Sequence, residues 1–417
     1  MYLDEGVTKH GRFYHQYVDR LLRFLVPNGK AVGTLDKSFR GLEAGRKYDY
    51  IVLSDILGYA QDIEEFLQSV HGALVADGRV VITQYNSLWE PVLRIASALR
   101  LRAPSVEQNW LSPHDLHNFL YLAGFETISS GNKMLMPVYV PLLSALCNTI
   151  LANIWPFSKL GLIHYVVARP LTSAGTDNPS LSIVVPARNE AGTIERIVKE
   201  LPSLGSFTEI IFIEGHSRDN TLAEIKRVAK QYGKEKRISF AVQDGKGKGD
   251  AVRKGFDMAT GDILAIYDAD MTVPPEDVNK FYRAIASGRG EFINGSRLVY
   301  PVEKGAMRVL NFFGNKFFSL AFTAILGQPL KDTLCGTKML WKKDYEGIKE
   351  NRAFFGDFDP FGDFDLMFGA AKLNLKIVEM PVRYKERVYG ETNISRWSHG
   401  WLLLQMTVFA ARKLKFW

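Results

Sequence analysis

The sequence predicts an α/β protein built from two doubly wound α/β domains, and three observations carry that prediction. The chain has 417 residues, 47% hydrophobic and 23% charged, which is enough for two cores and too apolar for a disordered chain. A stretch rich in Pro, Ser, Thr and Gly, PLTSAGTDNPS at 170–180, interrupts it without any apolar periodicity and reads as a linker. After that break, short Ile- and Val-rich runs alternate with charged segments of helical period, the pattern of a parallel sheet covered by helices.

Taken in order, the elements divide the chain into a first domain at 1–169, the linker at 170–180, a second domain at 181–395 and a tail at 396–417. The opening MYLDEGVTKHGRFYH is polar and charged, so no secretory signal peptide is expected and the working surfaces are expected to face the cytoplasm. The longest uncharged run lies between Lys133 and Lys159. Pro137, Pro141, Asn148 and Asn153 within it favour a buried or interfacial segment over a span. In the second domain LSIVVP, EIIFIE, RISFAV and DILAIYDAD read as short buried strands. AGTIERIVKELPSL and NTLAEIKRVAKQYG read as the helices between them. Ligands of such sheets bind beyond the C-terminal ends of the strands.

Charge and cysteine content narrow the function. A formal charge of +7 suits phosphate-bearing partners in general. No basic-aromatic RNA motif accompanies it, so nucleic acid is not expected. Cys147 and Cys335 are the only cysteines, too few and too far apart for a cysteine-built zinc site or a disulfide framework.

The sharpest local signal is Asp268-Ala269-Asp270, directly after the apolar run ILAIY. If the strand continued, alternation would place both carboxylates on one side. Two such oxygen ligands suit Mg²⁺ or Mn²⁺, completed by diphosphate oxygens and water. A solvated surface turn is the competing reading.

The segments around that triplet resemble glycosyltransferase family 2, and most closely its dolichyl- and polyprenyl-phosphate sugar transferase branch, from about Leu181 to Ile394. Pro186, Arg188, Asn189 and Glu190 fall in the opening P-x-x-N-E. Glu214, Ser217 and Asp219 follow the second strand, where the family usually carries D-D-x-S-x-D; Glu214-Gly215 departs from it. Gly247-Lys248-Gly249 is similar to the glycine-lysine turn before the helix carrying Arg253. Gly295-Ser296-Arg297 resembles the G-[ST]-R step, Arg308 stands in the place of a second arginine, and Asp332, Gly336 and Lys338 match D-x-x-x-G-x-[RK]. Asp365 falls where the branch has an acid, and Arg387, Tyr389, Gly390 and Glu391 match R-x-Y-G-E.

The resemblance implies a GT-A fold for the second domain, with a GDP- or UDP-linked nucleotide-sugar as donor and a polyprenyl phosphate as acceptor. It implies that Pro186, Arg188, Asn189, Glu190, Glu214, Ser217, Asp219, Lys248 and Asp268 line the donor site. Arg297, Arg308 and Arg387 would hold the acceptor phosphate. The metal would rest on Asp268 and Asp270, with Thr272 where the branch has glutamine. Asp270, Asp365 and Arg297 would be the catalytic set, Asp365 as an orienting group or base, or as a structural ion pair. A processive polysaccharide synthase, a soluble acceptor, or a bifunctional enzyme with a working methyltransferase half stand as alternatives.

YDYIVLSDIL at 48–57, LVADGRVVIT at 75–84 and LSPHDLHNFLYLAGFETI at 111–128 resemble the later part of a class I S-adenosylmethionine-dependent methyltransferase. That family's glycine-rich turn is missing: between Val26 and Tyr50 there is no G-x-G, and too few residues for a turn, helix and second strand. Gly29, Gly33 and Gly41 are expected to serve turns, Asp55 to be a site residue or a solvated strand-end carboxylate, and S-adenosylmethionine not to bind. The tail, RWSHGWLLLQMTVFAARKLKFW, has only fifteen residues between Arg396 and Arg412, too few to span a bilayer. Its aromatic residues and cations predict an amphipathic segment on a membrane surface.

Overall fold

The computed structural model describes residues 9–99, 108–171, 175–300, 309–354, 364–387, 389 and 396–416. The chain divides into two compact units, Met1–Thr172 with Lys415–Trp417, and Ser173–Leu414.

In the first unit five strands, β1 (Val32–Thr34), β2 (Tyr48–Ser54), β3 (Leu74–Tyr85), β4 (Phe125–Lys133) and β5 (Ile163–Pro170), form one sheet in the order β1-β2-β3-β5-β4. The first three are parallel, and β5 runs antiparallel to both β3 and β4. Period-two alternation sorts the side chains. Ile51, Leu53, Val80 and Ile82 pack under helices Ile63–Ala73 and Pro113–Leu122, while Tyr50, Val52 and Val81 pack under helix Lys9–Leu25. Ser112 and Asp115 close a capping box with Pro113 in the first turn, so that helix starts where its sequence says it should. Between β1 and β2 the chain forms no helix. Asp55 has φ 54° and accepts a hydrogen bond from the Tyr14 hydroxyl at 2.6 Å, so it is tied to the first helix rather than simply solvated.

The uncharged run after Lys133 breaks into short helical turns, Leu143–Ala145, Leu146–Ile150 and Leu151–Asn153. Among the described residues no helix is long and apolar enough to cross a membrane.

The second unit holds seven strands: β6 (Leu181–Ala187), β7 (Thr208–Glu214), β8 (Arg237–Val242), β9 (Ile263–Ile266), β10 (Phe292–Ser296), β11 (Lys338–Trp341) and β12 (Ile377–Pro381). Their order is β12-β10-β11-β9-β6-β7-β8. The sequence pattern predicts a parallel sheet, but β11 runs antiparallel between β9 and β10. The cause lies in the preceding loop. Asp332 has already reached the C-terminal end of β10, where its carboxylate accepts from the Arg297 amide at 2.9 Å. The next strand must therefore enter from that end. RISFAV forms β8, but as an edge strand that is only half buried. The helix from AGTIERIVKELPSL stops at Glu200, two residues before Pro202, a residue that disfavours helical geometry in its neighbour. The core joins Ile183 and Val185 of β6 to Phe212, Ile225, Tyr267, Phe281 and Ile293.

Candidate active site

The loops after β6 and β7 are laced to each other. The Asn189 amide donates to Ser217 Oγ at 3.0 Å, and the Arg218 amide donates to Asn189 Oδ1 at 2.8 Å. The Glu190 amide donates to Thr221 Oγ1 at 2.9 Å, and Asp219 accepts from the amides of Ala191 and Thr221. Both turns need left-handed backbone, with Asn189 at φ 57° and His216 at φ 56°. Glu214 is buried and accepts from the Ser217 amide at 2.6 Å. Its carboxylate therefore supports the loop. A Cβ at Gly215 would lie 3.1 Å from Arg188 Cβ, so the departure to glycine makes room for the exposed Arg188 stem. Pro186 lies half-buried in β6.

The two carboxylates of Asp268-Ala269-Asp270 come after β9 has ended at Ile266. Strand alternation, the expected reason for their pairing, does not operate there. The segment is a turn in which the Met271 amide donates to the Asp268 carbonyl at 3.3 Å, with Met271 at φ 54°. Each carboxylate meets cations instead. Lys248, at the start of the helix after Gly247, donates to Asp268 Oδ1 at 2.5 Å. Arg387 Nη2 donates to Asp270 Oδ2 at 3.1 Å, and Arg387 Nη1 to Glu190 Oε1 at 2.8 Å. Thr272 is buried behind Asp270, its amide and hydroxyl both donating to Oδ1, at 3.1 and 2.9 Å. Gly336 passes so close that a Cβ would overlap Asp268 Oδ2 and Lys248 Nζ.

Charge follows this geometry. Burial would raise the Asp268 carboxyl, but the Lys248 ammonium, helped by Lys338 and Arg297, holds it below the usual carboxylate range. Burial pushes Glu190 up to about 7, with Asp270 and Asp219 adding to the rise and Arg387 opposing it. A hard divalent cation fits this donor set. Asp268 and Asp270 offer oxygen ligands at a place already arranged to face positive charge. Among the described residues no group of three or more His, Cys, Asp or Glu side chains gathers as a metal cage. Such a cation would need further oxygens from a diphosphate or water.

Arg297, after β10, is nearly buried. Its Nε and Nη2 donate to Asp332 Oδ2 and Oδ1 at 2.7 and 2.8 Å, and its guanidinium lies 5.1 Å from the Tyr384 ring centroid. Desolvation works against Arg297 and is outweighed by Asp332, which holds its pKa raised. Burial likewise opposes ionised Asp332, yet Arg297 holds that carboxyl down at about 2. Asp365 lies on the helix Phe364–Lys372, 3.6 Å from both Arg253 and Arg352.

Residues 182–348 match the family model for glycosyl transferase family 2, and residues 7–130 match a methyltransferase domain. The family 2 match lies wholly within the second unit. The low-salt glycan biosynthesis hexosyltransferase Agl6 of Haloferax volcanii is 28% identical over 246 residues, 57% of this chain and 56% of that protein. The dolichol-phosphate mannosyltransferase of Pyrococcus furiosus is 28% identical over 229 residues, 51% of this chain and 59% of its own. The chain thus spans little more than half the length of these relatives. The dolichyl-phosphate beta-glucosyltransferase of Drosophila melanogaster is 29% identical over 259 residues, 56% and 75% of the two chains. A crystal structure of glucosyl-3-phosphoglycerate synthase from Mycobacterium tuberculosis with Mn²⁺, UDP and glucosyl-3-phosphoglycerate superposes at a TM-score of 0.41. It is 18% identical, covering 57% of this chain and 80% of that one.

Within the second unit the structure brings Glu190, Lys248, Asp268, Asp270, Thr272 and Arg387 together. It ties Arg297 to Asp332, and it sets Asp365 among arginines. Arg308, Gly390 and Glu391 lie outside the described residues. The bridge from Arg387 to both Glu190 and Asp270 was not expected, since the resemblance put these residues in three different roles. Arg352 and Tyr384 carried no motif that would have pointed to them. The helix Arg396–Ala410 packs Leu403, Met406 and Ala410 inward, and leaves Trp401 and Val408 exposed.

Proposed function

We propose that the family 2 domain transfers a hexose, with inversion, from a GDP- or UDP-linked sugar to a polyprenyl phosphate at the cytoplasmic face of a membrane. The observation that carries this reading is the meeting of Asp268 and Asp270 with Lys248 and Arg387, beside the laced loops after β6 and β7. The names of the dolichyl-phosphate relatives support the acceptor, and the exposed Trp401 on the terminal helix supports a membrane surface.

In the reaction a phosphate oxygen bonds to the anomeric carbon while the bond from that carbon to the nucleoside diphosphate breaks. The attacking oxygen is already anionic, so no strong base is required. The task is to bring two anions together and screen their repulsion. The loops after β6 and β7 bind the nucleotide, and Lys248 faces the diphosphate. Asp268 and Asp270, with Thr272 behind them, would hold Mg²⁺ or Mn²⁺, which would supply positive charge at the departing diphosphate. Arg387 exchanges its carboxylate partners for the acceptor phosphate, and Arg297 presents its remaining Nη1 edge to the same phosphate. Asp365 keeps Arg253 and Arg352 in place.

The test compares acceptors in detergent: a long polyprenyl phosphate, a short water-soluble prenyl phosphate and 3-phosphoglycerate, with one nucleotide-sugar that the enzyme turns over. Both prenyl phosphates should accept, and Arg387→Ala should raise the KM for each by about one to two decades, the cost of one charge-assisted contact to phosphate. Transfer to 3-phosphoglycerate alone would overturn the lipid acceptor.

A further inference from the structure

The first unit exposes two apolar surfaces that meet. Helix Glu90–Ala98 buries none of its residues, and Leu88, Val92, Ile95 and Leu99 form a stripe at helical spacing, each more than half exposed. The uncharged run beyond Lys133 exposes Tyr139, Leu142, Leu146, Ile150 and Trp155, with Leu142 at 89% and Trp155 at 74%. Hydrogen bonds join the two: Trp89 Nε1 donates to the Leu160 carbonyl at 2.7 Å, and Asn86 Nδ2 donates to the carbonyls of Lys159 and Gly161 at 3.2 and 2.9 Å.

What distinguishes this surface from an ordinary wet loop is where its polar groups go. Asn148 is buried, accepting from the Met136 amide and donating to the Met136 carbonyl, both at 2.8 Å. Buried Ser144 accepts from the Val140 amide at 2.6 Å and donates to the carbonyls of Val138 and Val140. Asn153 donates to the Thr149 carbonyl and accepts from Lys133 at 2.5 Å. The run thus turns polar side chains inward to satisfy its own backbone and hydrocarbon outward. The outward face is thereby left free of competing polar side chains, a surface that suits lipid, where unpaired polar groups are costly. Leu142 even holds φ at 61°, a conformation that bulky residues rarely adopt, while its side chain projects outward.

The charge pattern favours the same occupant. No acidic residue occurs from 134 to 162. Glu90, the one acid of the neighbouring helix, is paired with Arg94 at 2.6 Å, and Arg94 and Lys159 remain exposed at the edge. Tyr139 and Trp155 are residues suited to the headgroup layer.

We infer that the apolar face formed by helix Glu90–Ala98 and residues 138–160 inserts into one leaflet of an anionic bilayer, making the methyltransferase-like unit a monotopic membrane anchor. The inference deepens the lipid-acceptor reading and takes its purpose from it, but the measurement below is independent of transfer. The full chain is floated with phosphatidylcholine vesicles containing phosphatidylglycerol, beside a variant carrying Ile95→Gln, Leu99→Gln, Leu142→Ser and Trp155→Ser. These sites are exposed, so the melting curve should be preserved. The parent should float and the variant should partition at least tenfold more weakly, while both transfer equally to the short soluble prenyl phosphate. In a second arm, Trp155→Phe should float normally and show less fluorescence quenching by shallow doxyl-labelled lipid than the parent, the difference being the share that Trp155 contributes. Equal flotation of parent and variant, no flotation of the parent, or a variant that only changes from dimer to monomer would overturn the inference. Loss of transfer with flotation intact would count against the acceptor reading alone.

Discussion

Glu190 places one carboxylate oxygen on Arg387, while its other oxygen is buried with no hydrogen-bond partner among the described residues. Its pKa is raised from 4.5 to about 7, first by burial. Between those values the folded chain holds a proton that the unfolded chain has released. Stability from this group is therefore fully present below pH 4.5 and is lost as pH rises through 7. Glu190→Gln removes the titration, so thermal melts should show the variant gaining on the parent between pH 5 and pH 8; parallel curves would contradict the assignment. Arg297 and Asp332 predict the opposite limb. Asp332 is depressed from 3.8 to about 2, so its stabilisation is present above pH 3.8 and is lost as pH falls through 2. Breaking this buried pair with Asp332→Asn should cost about 3–5 kcal/mol in denaturant unfolding, because it leaves the guanidinium without its counter-charge. A loss below about 1 kcal/mol, the range of exposed pairs, would show the pair to be solvated.

At the scale of elements, the close approach of the loop before β11 to the carboxylate turn is what Gly336 permits. Gly336→Ala would drive a methyl group into Asp268 and Lys248. The expected outcome is loss of at least a hundredfold in kcat/KM with retained far-ultraviolet dichroism, and normal turnover would show that the loop relaxes freely. Much of this level could be read from the sequence, because apolar runs bounded by breakers marked β6, β7 and β9, and the acidic triplet sat directly past β9. Other features could not. The four residues of β11 carry no signal for direction, which is set by the loop that Asp332 fixes to β10. Arg387 lies 197 residues from Glu190, and no local pattern encodes a bond across that distance. The pairing of Asp268 with Asp270 was anticipated through strand alternation, but the chain had already left the strand, and the surrounding cations do that work.

At the scale of the whole molecule, two units of different kind share one chain. The first matches a methyltransferase domain over residues 7–130, yet β1 has three residues and no helix follows it before β2. A cofactor cradle of that family needs a glycine-rich turn leading into a helix. Calorimetry should accordingly show no S-adenosylmethionine binding, and micromolar affinity would contradict this view of the unit. The central claim concerns the second unit, and it is tested most directly by transfer itself. Labelled nucleotide-sugars are screened, one at a time, for transfer to polyprenyl phosphate in detergent, with the parent chain, with Asp270→Ala, and with EDTA. The expected result is one productive GDP- or UDP-sugar, a lipid-extractable sugar phosphate of inverted configuration, and loss of more than nine-tenths of the product with Asp270→Ala or EDTA. A lipid product formed at the parent rate by Asp270→Ala in EDTA, or no lipid product from any donor, would contradict it.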